Sequence, residues 1–160
     1  MKSELLLAQG AIDPALAAAA QSLTCAPAHR AELAGSLASA FYLRAAQAAA
    51  VKLYRASLEA RYDATMASNL GWLLATSPDP AVRDGRTALA LGERVASENP
   101  SSYVYLSTLA AALAENGRFP EAVAAGTRAL DLARKANDPD LIGRAETRVR
   151  AYQAGQPWRQ

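Results

Sequence analysis

The chain has 160 residues and is near charge balance, with 17 Lys and Arg against 15 Asp and Glu and a net charge of +2. We see no stripe of basic residues of the kind that phosphate neutralisation needs, so we expect no nucleic-acid binding. The single cysteine and the single histidine exclude an internal disulfide, a multi-histidine metal site and most nucleophile–base pairs. We therefore expect no metal, no cofactor and no enzymatic activity.

Alanine makes up about a quarter of the residues. It is the strongest helix former and a small side chain, so the composition favours helices packed at close range. Strand signals are almost absent.

The N-terminal stretch "MKSELLLAQGAIDPALAAAAQSLTC" has some likeness to a signal peptide that ends at a lipid-modified cysteine. Glu4, Gln9, Asp13 and Pro14 interrupt its apolar run, so we interpret it as a helix, a turn and a second helix. No run reaches the roughly 18 apolar residues of a membrane helix. We expect no membrane insertion and a cytoplasmic location.

Proline and glycine mark helix boundaries along the rest of the chain. Prolines follow Asp13, Phe119 and Asp138 at predicted first helical positions, and the two aspartates are predicted N-caps. Glycines at 10, 117 and 155 each follow a helical stripe, where a left-handed C-cap favours glycine. The predicted helices are 3–9, 14–23, 29–44, 46–61, 64–76, 85–98, 102–116, 120–135 and 139–153.

A helix-turn-helix pattern recurs along these helices. The clearest copy begins near Tyr103 and contains Leu106, Leu109, Ala110, Leu113, Gly117, Phe119, Ala122 and Ala129. Small residues stand where paired helices approach most closely, and large residues fill the spaces beside them. This pattern resembles the tetratricopeptide repeat, a unit of about 34 residues.

An earlier copy contains Ala67, Leu70, Gly71, Leu74, Ala88 and Val95. The interval between Gly71 and Ala88 is five residues longer than that between Ala110 and Ala122, which predicts an enlarged turn at 77–84. In the two copies Gly92 and Gly126 replace a large residue, so the next helix either packs closer or leaves a gap. A looser copy contains Leu37, Ala38, Phe41, Ala50, Tyr54 and Ser57; its turn lacks glycine, and one longer helix is the alternative.

The resemblance implies an all-α fold, an α-solenoid of antiparallel helix hairpins with about three and a half repeats and a C-terminal capping helix. We predict a single domain over 1–160. Its parts are a partial repeat at 1–28, repeats at 29–63, 64–100 and 101–136, and the capping helix with its tail at 137–160. Trp158 either folds back over the last apolar patch or serves as a terminal binding anchor.

In the resembling family, the first helix of each repeat lines a concave groove. The corresponding positions imply a partner-binding set of Ser39, Tyr42, Thr65, Ser68, Asn69, Trp72, Ser107 and Thr108, with Glu32, Ser36, Val104 and Ala111 beside them. Asn69 stands where family members often place an asparagine that pairs with a bound peptide backbone. The alternative is that Asn69 is hydrated or caps and that Trp72 packs on a neighbouring helix. Because these positions lack lysine and arginine, we expect an uncharged or mildly basic extended segment as ligand.

The resemblance therefore implies a non-catalytic scaffold or adaptor that binds a partner protein or peptide on its concave face. The enlarged turn at 77–84 is a second candidate contact site. The alternative is a structural or regulatory module that self-associates through an N-terminal flank containing Leu5 and Leu6, or that forms the C-terminal part of a larger protein.

Overall fold

The structure is a computed structural model that describes residues 2–3, 6, 10–25, 29–43 and 46–160, without the side chains at 23–25 and 30. Within these residues the chain is all-helical and contains no strand, which confirms the predicted fold class. The helices are α1 (Ile12–Cys25), α2 (Arg30–Leu43), α3 (Gln47–Ala60), α4 (Ala64–Thr76), α5 (Gly85–Glu98), α6 (Tyr103–Glu115), α7 (Phe119–Lys135) and α8 (Pro139–Gln153). Most of the helix predicted at 3–9 lies outside the described residues.

The helix boundaries agree with the proline and glycine signals except at α7, which begins at Phe119 so that Pro120 is its second and not its first residue, and at α1. That helix begins at Ile12, which places Asp13 in its first turn and not at the predicted N-cap position. Asp138 does cap α8, since its carboxylate accepts hydrogen bonds from the backbone N–H groups of Asp140 and Leu141. Gly10, Gly117 and Gly155 all have positive φ, as the C-cap prediction requires.

Two compact units make up the chain, Met1–Met66 and Ala67–Gln160, and the division falls inside α4. In the first unit, α2 and α3 pack closely against each other, so the looser repeat is a helix hairpin and not one longer helix. The fully buried residues Phe41 and Tyr54 contribute most of the core volume of this unit. The Ser57 hydroxyl donates to the carbonyl of Ala31 at 2.7 Å and so ties α3 to α2.

In the second unit, α5 packs on α6, α6 on α7, and α7 on α8. Alanines make up most of the core cluster of this unit, and the fully buried Tyr152 of α8 supplies its largest side chain. The core cluster consists of Ala110, Leu113, Ala114, Ala122, Ala125 and Tyr152. This succession of antiparallel helix pairs is the arrangement that the repeat pattern predicted.

The two glycines that replace large residues bring neighbouring helices close together. A Cβ at Gly92 would lie 3.1 Å from the backbone Cα of Leu109, and a Cβ at Gly126 would lie 3.0 Å from Cγ2 of Val149. These distances are shorter than ordinary carbon–carbon contacts of about 3.5–4.0 Å. Of the two outcomes considered from the sequence, closer packing is the correct one.

The segment 77–84 connects α4 to α5 and is held by hydrogen bonds at both ends. The Arg83 guanidinium donates to the carbonyls of Ser77 and Pro78 at 2.9 and 3.1 Å, and the Asp84 N–H donates to the carbonyl of Leu74 at 3.1 Å. Asp84 also caps α5, since its carboxylate accepts the Thr87 N–H at 3.0 Å. The segment is therefore an ordered loop with an exposed tip at 78–81. Whether this tip contacts a partner stays a prediction.

Among the described residues, no helix combines the length and the apolar character that crossing a membrane requires.

Candidate functional site

A cleft of about 190 Å³ opens in the second unit between α4, α6 and α8. Five of the predicted groove residues line it, namely Ser68, Asn69, Trp72, Ser107 and Thr108, together with Tyr103, Val104 and Arg148. Among the described residues, Val104 is one of the few large apolar side chains that are mostly exposed, at 53%. The cleft therefore combines amide and hydroxyl groups with accessible apolar surface.

Helical spacing explains why these residues share one surface. On α4, Ser68 and Trp72 are four residues apart and Asn69 lies next to them, so all three fall on adjoining parts of one face. On α6, Val104 and Ser107 are three residues apart, with Thr108 adjacent. The buried leucines of these helices occupy the remaining faces; they are Leu70, Leu73, Leu74, Leu106 and Leu113.

Two of the predicted site residues bond to each other. The Ser68 and Thr108 hydroxyls lie 2.9 Å apart and are both buried, so this hydrogen bond joins α4 to α6 across the base of the cleft. By contrast, the half-exposed amide of Asn69 makes no hydrogen bond to any described residue. Asn69 is thus an uncommitted polar group of the cleft, while Ser68 and Thr108 shape its base.

Trp72 forms one wall of the cleft and stacks with a residue that the sequence analysis did not place there. The guanidinium carbon of Arg148 lies 4.4 Å from the centroid of the Trp72 ring and 5.9 Å from that of Trp158. Such cation–π contacts hold the guanidinium in place. No carboxylate among the described residues pairs with Arg148, and its Nε is buried without a hydrogen-bond partner there.

Arg148 changes the electrostatic expectation for the groove. The groove helices themselves supply neutral side chains, as predicted, but α8 adds one positive charge. The groove positions implied by the repeat pattern do not include Arg148. The signal that would have placed it correctly is its position four residues before the buried Tyr152, which puts both on one side of α8.

The residues after α8 fold back along the second unit. Trp158 packs against the core cluster, so the fold-back alternative is the one observed for this residue. Beyond it, the side-chain oxygen of Gln160 accepts a hydrogen bond from the Trp72 indole N–H at 2.9 Å. Trp72 is therefore shared between the cleft and the C-terminal tail.

The other predicted site residues lie in the first unit. Ser39 lines a separate cleft of about 430 Å³ between α2 and α3, together with Ala31, Glu32, Gly35, Ser36, Ser57, Arg61, Asp63 and Met66. Its hydroxyl donates to the carbonyl of Gly35 at 3.1 Å and lies 3.3 Å from the Tyr54 hydroxyl. Tyr42 is half-buried and Thr65 is exposed, and neither lines this cleft.

The charged groups of the first cleft pair with each other at the surface. Arg61 and Glu32 lie 3.4 Å apart with both side chains mostly exposed, so their attraction is screened by water. The cysteine at position 25 and Leu5 of the predicted N-terminal flank lie outside the described side chains.

Comparison with known proteins gives a likeness of fold. No family model matches the chain, and no curated protein matches it. Among solved structures, MamA AMB-1 (crystal form P212121), a tetratricopeptide-type helical repeat protein, matches with a TM-score of 0.57 and 23% sequence identity, covering 98% of this chain and 83% of that chain. The fold is thus that of a tetratricopeptide-type helical repeat protein.

Proposed function

We propose that this protein is a non-catalytic scaffold that binds an extended segment of a partner protein in the cleft between α4, α6 and α8. The observation that carries the proposal is the uncommitted amide of Asn69 beside the indole of Trp72 in an open cleft. Helical repeat proteins with such surfaces commonly act in recognition, although fold alone does not determine function.

The chemistry of the cleft suits a peptide main chain. One carboxamide has both a donor and an acceptor side, so Asn69 can pair with the N–H and C=O of an extended segment in any sequence context. Val104 and Trp72 offer apolar surface on either side of it. Hydrogen bonds to the main chain would fix the direction of the segment, and apolar side chains would add affinity.

The charge of the cleft limits which side chains a bound segment can place there. Arg148 has no carboxylate partner among the described residues, so a cationic side chain placed next to it would be repelled. We therefore expect any basic side chain of the bound segment to lie away from Arg148, on the far side of Trp72. Next to Arg148 we expect an uncharged or acidic side chain.

The test compares partner capture by Asn69→Ala with capture by the wild-type protein and by Gln153→Ala. Both substitutions remove one carboxamide from the second unit, but Gln153 is exposed at the end of α8, away from the cleft. Hydrogen bonds contribute about 1 kcal/mol each, so losing two should weaken binding about ten-fold or more. Affinity capture with mass spectrometry identifies the partner, and titration with the purified partner measures the loss.

Equal capture by Asn69→Ala and Gln153→Ala, with unchanged circular dichroism, would show that the cleft is not the binding surface. Loss of capture by both variants would point to a partner surface on α8 instead.

A further inference from the structure

The last two residues of the chain are held by four polar contacts on one surface. The Trp72 indole donates to the Gln160 side-chain oxygen at 2.9 Å, and the Gln160 N–H donates to the Thr76 carbonyl at 3.1 Å. The Arg159 guanidinium donates to the Ala75 carbonyl at 3.1 Å and lies 2.6 Å from Oε2 of Glu115. We call Trp72, the carbonyls of Ala75 and Thr76, and Glu115 the tail-contact surface.

The tail-contact surface is electronegative for reasons built into the fold. Ala75 and Thr76 end α4, and the last carbonyls of a helix lack intrahelical donors and carry its negative dipole end. Glu115 ends α6, and its side chain is only 13% exposed. A carboxylate so placed requires cationic partners, and here it pairs with both Arg83, at 3.2 Å, and Arg159.

Arg159 matches this surface in the way an arginine of a bound peptide would. Its guanidinium donates a hydrogen bond to a main-chain carbonyl and at the same time forms an ion pair with a carboxylate. The neighbouring Gln160 adds one side-chain acceptor and one main-chain donor, both used. These are contacts of a non-helical segment, since residues 156–160 adopt no helix.

We propose that the tail-contact surface is a recognition site for an extended segment that carries an arginine followed by an amide side chain. The chain's own C-terminal tail occupies this site in cis, and an external segment of the same chemistry binds by displacing the tail. The proposal rests on the proposed function, because Trp72 belongs to both the cleft and the tail-contact surface.

The tether explains how so few contacts keep the site occupied. Only residues 154–158 separate the contacting residues Arg159 and Gln160 from the end of α8 at Gln153. Within this link Gly155 turns the chain with a φ of 67°. A short flexible link gives an effective concentration in the millimolar range, so weak contacts suffice in cis. An external segment must compete with the effective concentration of the tethered tail. When the tail is released, the external segment therefore binds with higher apparent affinity.

The experiment uses full-length protein and a labelled peptide of the tail sequence, GQPWRQ, as the probe. Trp158→Ala combined with Arg159→Ala frees the tail, and Arg150→Ala, an exposed arginine of α8, is the matched control. By fluorescence anisotropy we expect the released variant to bind the probe at least about ten-fold more tightly than the wild type or Arg150→Ala. Adding Glu115→Gln to the released variant should abolish that gain, as should replacing the probe's arginine with alanine.

Trp158 also packs on the core cluster, so circular dichroism must show that the released variant is folded. If it is not, Arg159→Ala alone takes its place, since this variant leaves Trp158 in position. A folded variant that binds the probe no better than the wild type overturns the proposal and makes the tail a structural cap.

The probe assay needs no partner protein, so its outcome is separate from that of the Asn69 experiment. Probe binding with unchanged capture by Asn69→Ala would leave the recognition site standing and refute only the proposed use of the cleft.

Discussion

At the scale of single residues, Tyr152 is the buried group with the clearest chemical consequence. Its hydroxyl lies in the core of the second unit without a hydrogen-bond partner among the described residues. Burial raises the pKa of Tyr152 far above its ordinary value, Arg148 opposes that shift, and Tyr103 adds to it. The folded protein therefore keeps this phenol protonated where an unfolded chain would lose the proton.

We expect Tyr152→Phe to change how stability depends on alkaline pH. Above the ordinary tyrosine pKa of about 10, the unfolded wild-type chain binds fewer protons than the folded one at this position, so its stability falls as pH rises. The fall approaches about 1.4 kcal/mol per pH unit for one such group. Phenylalanine cannot ionise, so the variant should lack this part of the loss. Urea unfolding at several pH values between about 8 and about 11 measures it.

The same substitution should not lower stability at neutral pH. Removing a buried hydroxyl that lacks a partner avoids a desolvation cost of about 1–3 kcal/mol, and the ring keeps its packing. Parallel pH curves for wild type and variant would mean that Tyr152 ionises in the folded state, contrary to its burial.

At the scale of helices, the spacing of α5 and α6 depends on the absence of a side chain at Gly92. We expect Gly92→Ala to lower the free energy of unfolding by about 1 kcal/mol. The added Cβ meets the backbone of Leu109, which cannot rotate away, and overpacking of this kind costs about 1–3 kcal/mol. The gain in helix propensity, about 1 kcal/mol, offsets only part of that cost.

Gly143→Ala is the matched control, since a Cβ at this exposed position of α8 has no neighbour within 4 Å. It should raise stability by up to about 1 kcal/mol through helix propensity alone. Urea unfolding of both variants separates the two contributions, and equal stabilisation by both would contradict the tight α5–α6 contact.

These helix contacts also show which features of the fold the sequence could predict and which it could not. The positions of Ala110 and Ala122 predicted the hairpin because small residues at fixed intervals are a local signal. Whether Gly92 marks a close approach or a gap depends on the distance between two helices, which the periodicity does not encode. The structure supplies that distance.

The candidate site likewise has a part that the sequence could predict and a part that it could not. Asn69 and Trp72 were predictable because they follow from one helix face of a recognisable repeat. Arg148 and the tail contacts at Trp72 join residues far apart in the chain, and no local pattern in "RVRAYQAGQPWRQ" reports which distant surface it meets.

At the scale of the whole molecule, many arginines of the described residues are paired with carboxylates. Arg118 lies beside Glu121 and Glu93, and these neighbours raise the pKa of its guanidinium while Arg118 lowers the pKa of Glu121. Arg94 pairs with Glu98, and Arg134 pairs with Glu146. A protein gains affinity for nucleic acid when its clustered cations neutralise phosphates and release their counterions. Carboxylates that pair with those cations reduce this gain.

We therefore expect no saturable binding to a labelled DNA duplex near physiological salt. The matched variant carries Glu93→Lys and Glu121→Lys, which removes both partners of Arg118 and raises the net charge from +2 to +6. This variant should bind weakly, with an affinity that falls steeply as salt is added, because a cluster of three cations then faces the phosphates. Fluorescence anisotropy over a salt series measures both proteins. Saturable binding by the wild type, with a salt slope equivalent to several phosphate contacts, would show that an uncompensated cationic surface exists and would contradict the charge pairing described above.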